Sequence, residues 1–230
     1  MKVIGLIGGM SWESSLEYYR IVNEKTKKLL GGLSSCKCLM YSVDFAEIEI
    51  LQHQGDWEKL NELMADAAIK LYKGGADVII LCTNTMHLCN EAIINSVPIP
   101  FIHIADATGE KIATKELKKI GLLGTRFTME KDFYKKILKN KYEIETIVPN
   151  ENDRKQIHRI IYEELVLGKI NKESREIYKE IIKRLQDSGA EGVILGCTEI
   201  PLLISQDDVD IPTFDTTTIH AEKAVEWIIK

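Results

Sequence analysis

Two short turns hold the residue types from which proton transfer at carbon could be built: Thr83-Asn84-Thr85 and Cys197-Thr198-Glu199. A cysteine thiol ionises near pH ~8.5 and can serve as a thiolate base. A threonine hydroxyl is a far weaker acid and a poor resting base, although it can hand a proton to a forming carbanion. An internal repeat joins the turns. Gly75–Thr83 reads GADVIILCT and Gly189–Cys197 reads GAEGVILGC, aligning without a gap. Thr83 then falls on Cys197, Asn84 on Thr198 and Thr85 on Glu199. Two further echoes flank it in the same order: Val3–Gly8 recurs as Lys119–Gly124, and Val97-Pro98-Ile99-Pro100 as Val209-Asp210-Ile211-Pro212. If the halves face each other, Thr83 and Cys197 stand on opposite faces of one carbon, which is the geometry inversion requires.

The other candidate residues divide between chemistry and packing. A free cysteine is most often a small buried hydrophobe, but Cys197 sits at a strand end before Thr-Glu-Ile-Pro, where function is the better reading. Cys82 aligns with Gly196 and, by strand alternation, points away from the face that Thr83 uses, so it is read as core. Cys36, Cys38 and Met40 alternate on one strand face and are read as packing, and Cys89 falls in a helix. His87 either holds its loop or polarises a substrate group, whereas His103, in Phe101-Ile102-His103-Ile104, is read as a satisfied core histidine. The five histidines lack metal-ligand spacing, so no metal site is expected. Gly5-Leu6-Ile7-Gly8-Gly9 is neither GxGxxG nor a P-loop, yet a glycine turn before a helix could offer backbone N–H groups to a carboxylate.

The elements that must position these turns alternate between strand and helix. Val78-Ile79-Ile80-Leu81 is a continuous apolar run, as expected of a strand buried on both faces of a parallel sheet. Trp57–Tyr72 places Leu60, Leu63, Met64, Ala67, Ala68 and Leu71 at helical spacing, and Ile177–Leu185 does the same before Ser188-Gly189. The pattern predicts an α/β protein of two pseudo-symmetric, doubly wound lobes with parallel sheets and a site in the cleft between them. The lobes are expected over residues 1–110 and 111–213, with the join between Ala105 and Leu117. A helix over 214–230 could return to the first lobe.

Composition narrows the class. Of 230 residues, 45% are apolar and 28% charged, ordinary proportions for a globular protein. A net charge of -5 with mixed signs argues against a nucleic-acid groove or a polybasic membrane patch. No apolar run approaches the ~20 residues of a spanning helix, and the start does not read as a signal peptide. Five cysteines without a CxxC pair point to free thiols in a reducing cytoplasm.

The turns also carry a family pattern. IGLIGGMSWESS at the start, TNTMH over Thr83–His87, IGLLGTRFTM from Ile120 and GCTEIPLL from Gly196 resemble the aspartate/glutamate racemase family over nearly the whole chain. Within the family, the resemblance is greatest to enterobacterial racemases of L-aspartate and L-glutamate, or of amino acids more broadly. It implies a pyridoxal-independent, cofactor-free enzyme in which one residue takes the α-proton and another returns a proton to the opposite face. Most members use two cysteines. Here Cys197 fills the second position and Thr83 the first, which implies that Cys197 deprotonates the L-enantiomer and Thr83 reprotonates. The resemblance further implies a homodimer acting on a free amino acid.

Around that pair, Asn84, Thr85 and Thr198 can hydrogen-bond the α-carboxylate and ammonium as charge develops. Met10 matches a family pocket position, and Gln52 is a candidate contact from the Phe45–Gln54 segment. Glu199 belongs to the CTE form of the motif. It could bind the substrate ammonium, would raise the thiol pKa if ionised beside Cys197, or could simply be a helix N-terminal acid. Arg126, in Gly124-Thr125-Arg126, is a candidate for a substrate side-chain carboxylate, with a surface ion pair as the alternative. Two other functions stay open: a single-cysteine decarboxylase or isomerase of the superfamily, and a non-catalytic amino-acid-binding protein.

Overall fold

The computed structural model describes residues 1–230, which divide into two compact units: Met1–Ile104 with His220–Lys230, and Ala105–Ile219. The first unit holds strands β1 (Ile4–Gly8), β2 (Cys38–Ser42) and β3 (Val78–Leu81), all parallel in the order β2-β1-β3. The second holds β4 (Lys119–Gly124), β5 (Glu145–Ile147), β6 (Gly192–Gly196) and β7 (Thr213–Asp215), parallel in the order β5-β4-β6-β7. The two-lobed α/β architecture read from the sequence is present, and the repeat appears as the same order within each sheet.

The apolar runs explain the layers. Every residue of β1, β3 and β6 is buried. In the first unit, Ile7, Ile79 and Leu81 pack to one side of the sheet, against Leu60, Met64 and Ala68 of the helix Trp57–Lys73. Ile4, Leu6, Val78, Ile80 and Cys82 pack to the other, against Tyr18, Val22, Ala224 and Ile228. Strand alternation thus sends neighbouring side chains into separate cores. In the second unit, the helix Lys172–Asp187 buries Tyr178, Ile181, Ile182 and Leu185 against Leu123, Val193 and Leu195.

Both helical expectations hold. Trp57–Lys73 is capped by Asp56, whose side chain accepts from the Lys59 N–H at 3.0 Å, and it gives way to Gly74-Gly75. Lys172–Asp187 begins earlier than the apolar periodicity, because its first turn is polar and follows Asn171.

Two local readings are corrected. The last helix does not begin at Phe214. Thr213–Asp215 forms β7, and the helix runs Thr216–Ile229. Phe214 is buried in the sheet, and the Val193 N–H donates to the Pro212 carbonyl at 2.8 Å, which draws this segment alongside β6. The matching place in the first unit keeps only a bridge, Ile79 to Phe101, with the Ile79 N–H donating to Pro100. The packing reading of Cys36, Cys38 and Met40 holds only in part. Cys36 is buried just outside β2, Cys38 is half-buried, and Met40 is exposed because β2 is an edge strand.

Candidate active site

Each sheet ends at its carboxyl edge in the turns singled out above, where open α/β sheets bind ligands. In the first unit, β1 runs into Gly9-Met10-Ser11. Gly9 has φ +92°, and a Cβ there would strike the backbone of Val43. The first donor of the turn is already committed. The Gly9 N–H donates to Ser15 Oγ at 2.7 Å, and Ser15 Oγ donates to the Ser11 carbonyl at 3.0 Å. Ser11 caps the helix Trp12–Leu30 by accepting from the Ser14 N–H. The expectation that this turn offers N–H groups to a carboxylate is therefore corrected at Gly9, whose donor a helix serine consumes. Met10, within this turn, is buried.

After β3 comes Cys82-Thr83-Asn84-Thr85. Cys82 is fully buried; its N–H donates to the Ile7 carbonyl at 2.9 Å, and its own carbonyl accepts from Ser14 Oγ at 2.7 Å. Burial pushes its thiol pKa well up, as suits a core cysteine. Thr83 is half-buried, while Asn84 and Thr85 are buried at the start of a short 3-10 helix, Thr85–Cys89.

His87 holds this loop, and the two readings of it are resolved in favour of structure. Its Nδ1 lies 2.8 Å from the Thr83 carbonyl and its Nε2 accepts from the Ile104 N–H at 3.1 Å. Only a neutral ring protonated at Nδ1 satisfies both. Burial, with the neighbouring His103 and His220, drives the His87 pKa well below its usual range. His103 is buried with its ring 4.5 Å from that of His87. His220 is buried too, with Tyr18 Oη 2.8 Å from Nδ1 and the Ile102 carbonyl 2.8 Å from Nε2. No group of three histidine, cysteine or carboxylate side chains is arranged to hold a metal ion.

Gln52 reaches this unit's site from the helix Phe45–Gln54. It is buried, its Nε2 donates to Met86 Sδ at 3.0 Å, and its Oε1 has no protein partner. A buried acceptor without a donor costs about 1–3 kcal/mol unless a ligand supplies one.

In the second unit, β6 ends in Cys197-Thr198-Glu199. The half-buried Cys197 thiol donates to Glu199 Oε2 at 2.9 Å, and Thr198 Oγ1 donates to the same oxygen at 2.7 Å. Desolvation first, and then the negative charge of Glu199, raise the Cys197 pKa well above the usual thiol range. The resting group is thus a thiol hydrogen-bonded to a carboxylate, a pair able to pass a proton from sulfur to oxygen. Of the alternatives for Glu199, the structure brings forward the contact with the thiol.

Sequence reasoning missed Thr217. It follows β7, which neighbours β6, and it is buried with no partner for Oγ1. The flanking threonines have other partners: Thr216 Oγ1 donates to the Leu195 carbonyl at 3.0 Å and Thr218 Oγ1 to Asp215 Oδ2 at 2.6 Å. The run Asp215-Thr216-Thr217-Thr218 after a strand was the available signal, and reading the segment as helix from Phe214 hid it.

Comparison with known proteins identifies the family. Residues 7–224 match the family model described as Asp/Glu/Hydantoin racemase. A broad specificity amino-acid racemase, RacX of Bacillus subtilis, is 23% identical over 97% of this chain and 96% of its own length. A crystal structure from Yersinia pestis, provisionally described as an Asp/Glu racemase, is 51% identical over the whole of both chains, with a TM-score of 0.94. An aspartate racemase homologue from Pyrococcus horikoshii is 38% identical over the whole of both chains, with a TM-score of 0.87. The chain belongs to the Asp/Glu/hydantoin racemase family. By class it is an enzyme, an amino-acid racemase.

Proposed function

We propose that this racemase interconverts the enantiomers of an acidic amino acid, L-aspartate or L-glutamate, using its own side chains and no bound cofactor. Cys197 removes the α-proton of the L-enantiomer, its thiol proton passing to Glu199 as the thiolate forms. Thr83 delivers a proton to the opposite face of the carbanion and is reprotonated from water, to which Glu199 releases the proton it took, so that the cycle closes. Asn84, Thr85 and Thr198 hold the α-carboxylate, Gln52 Oε1 accepts from the ammonium, and Met10 packs against the substrate.

The observation that carries this reading is the Cys197 thiol donating to Glu199 at 2.9 Å. A thiol that ordinary solvation would ionise near pH ~8.5 is here held protonated beside its acceptor. It becomes a base only when the proton moves to the carboxylate. The alignment of Thr83 with Cys197 in the repeat supports the pairing, and so does His87, whose hydrogen bond to the Thr83 carbonyl fixes that turn. The family resemblance supports a homodimer, and five free cysteines suit a reducing cytoplasm.

Incubating the purified protein with L-aspartate and with L-glutamate, without added cofactor, and separating the enantiomers by chiral chromatography tests the proposal. D-product from either, lost in Cys197→Ala, is expected. Turnover of neutral amino acids only would overturn the substrate, and release of carbon dioxide would favour the single-cysteine decarboxylase.

A further inference from the structure

The turn after β4 brings a cation to the edge that carries Cys197. β4 and β6 are neighbours in register, with Gly124 opposite Gly196. Both glycines are needed for this close approach: a Cβ on Gly124 would lie 2.8 Å from the Gly196 carbonyl oxygen, and one on Gly196 would lie 2.5 Å from the Leu123 carbonyl oxygen. Thr125 and Arg126 therefore leave the sheet directly beside Cys197 and Thr198. Arg126 is the first residue of the helix Arg126–Glu130 that Thr125 caps immediately after β4.

The chain has six arginines, and five of them lie against carboxylates: Arg20 on Glu17, Arg154 on Glu130, Arg159 on Glu163, Arg175 on Asp208 and Arg184 on Asp153, at 2.7 to 4.0 Å. Arg126 makes no ion pair. Its backbone is anchored, the N–H donating to His158 Nδ1 at 3.3 Å, and its guanidinium lies 5.8 Å from the Phe127 ring. The alternative of a surface ion pair is therefore not realised.

We propose that Arg126 binds the side-chain carboxylate of the substrate and so selects acidic over neutral amino acids, an inference that rests on the racemase reading above. Guanidinium matches carboxylate in shape and charge and forms paired, charge-assisted hydrogen bonds. The exposed position leaves Arg126 able to swing onto a ligand without first giving up a partner.

The test uses the full chain and the variants Arg126→Gln and Arg126→Lys. KM and kcat are measured for L-aspartate and L-glutamate, and Kd by calorimetry for L-aspartate and L-alanine. Arg126→Gln is expected to raise KM and Kd for the acidic substrates about 10- to 100-fold. Arg126→Lys should recover part of that, kcat and the unfolding midpoint should change little, and the Kd of L-alanine should be unaffected. Wild-type KM in Arg126→Gln, or an equal loss for L-alanine, would overturn the assignment while leaving the racemase reading intact. A wild-type protein that neither turns over nor binds acidic amino acids would overturn both.

Discussion

The Cys197 thiol and the Glu199 carboxylate are hydrogen-bonded at 2.9 Å, two residues apart at the end of one strand. The carboxylate has two opposed effects on the thiol. Its charge raises the thiol pKa, which lowers the fraction of resting thiolate, and its oxygen gives the leaving proton a destination.

These effects separate in Glu199→Gln. Removing the charge takes away one of the causes that raise the Cys197 pKa, so the thiol should be alkylated faster at neutral pH. Burial, the larger cause, stays, and so the pKa should still lie above the ordinary thiol value. Turnover should nevertheless fall, by about 100-fold or more, because the proton acceptor is gone. Iodoacetamide labelling against pH, beside kcat, reads both; an unshifted labelling profile would contradict the contact.

At Gln52, function and stability should move in opposite directions. Gln52→Leu removes a buried amide oxygen that has no protein donor, so the unfolding midpoint in urea should hold or rise, by up to about 1 kcal/mol. KM for the amino acid should rise about tenfold if Oε1 accepts from the ammonium. A destabilised variant with unchanged KM would assign Gln52 to packing.

The buried histidines set an acid limit on stability. Burial lowers the His220 pKa from 6.5 to about 4, while the unfolded chain binds its proton near 6.5. Between these values the unfolded state holds more protons, so stability falls as pH drops from 6.5 towards 4 and is independent of this group above 6.5. The loss from His220 should reach about 3 kcal/mol, and His87 shifts in the same direction. Urea midpoints at pH 7 and pH 4.5 measure it, and His220→Gln should flatten the slope.

Much of this was written along the chain. The gapless alignment of Gly75–Thr83 with Gly189–Cys197 anticipated the repeated sheet order and the placement of Thr83 and Cys197 just beyond the ends of β3 and β6, because strand alternation and strand ends are local properties. What stayed hidden depends on partners distant in sequence. Ser14 reaches the Cys82 carbonyl across 68 positions, and His220 reaches Ile102 across 118. The commitment of the Gly9 N–H turns on the rotamer of Ser15, which no periodicity records. β7 was misread because three residues are too few to display an alternation.

Proton NMR in D₂O tests most directly whether two different groups act on one carbon. Wild-type enzyme with L-aspartate or L-glutamate should lose the α-proton signal as D-product appears, and Cys197→Ala should abolish both. Thr83→Ala is the decisive case: Cys197 can still remove the proton, and solvent deuterium can return only from the same side. Exchange without inversion is expected, so that the α-proton washes out while the amino acid stays L. Racemisation by Thr83→Ala at the wild-type rate, or exchange that survives Cys197→Ala, would contradict the two-group mechanism.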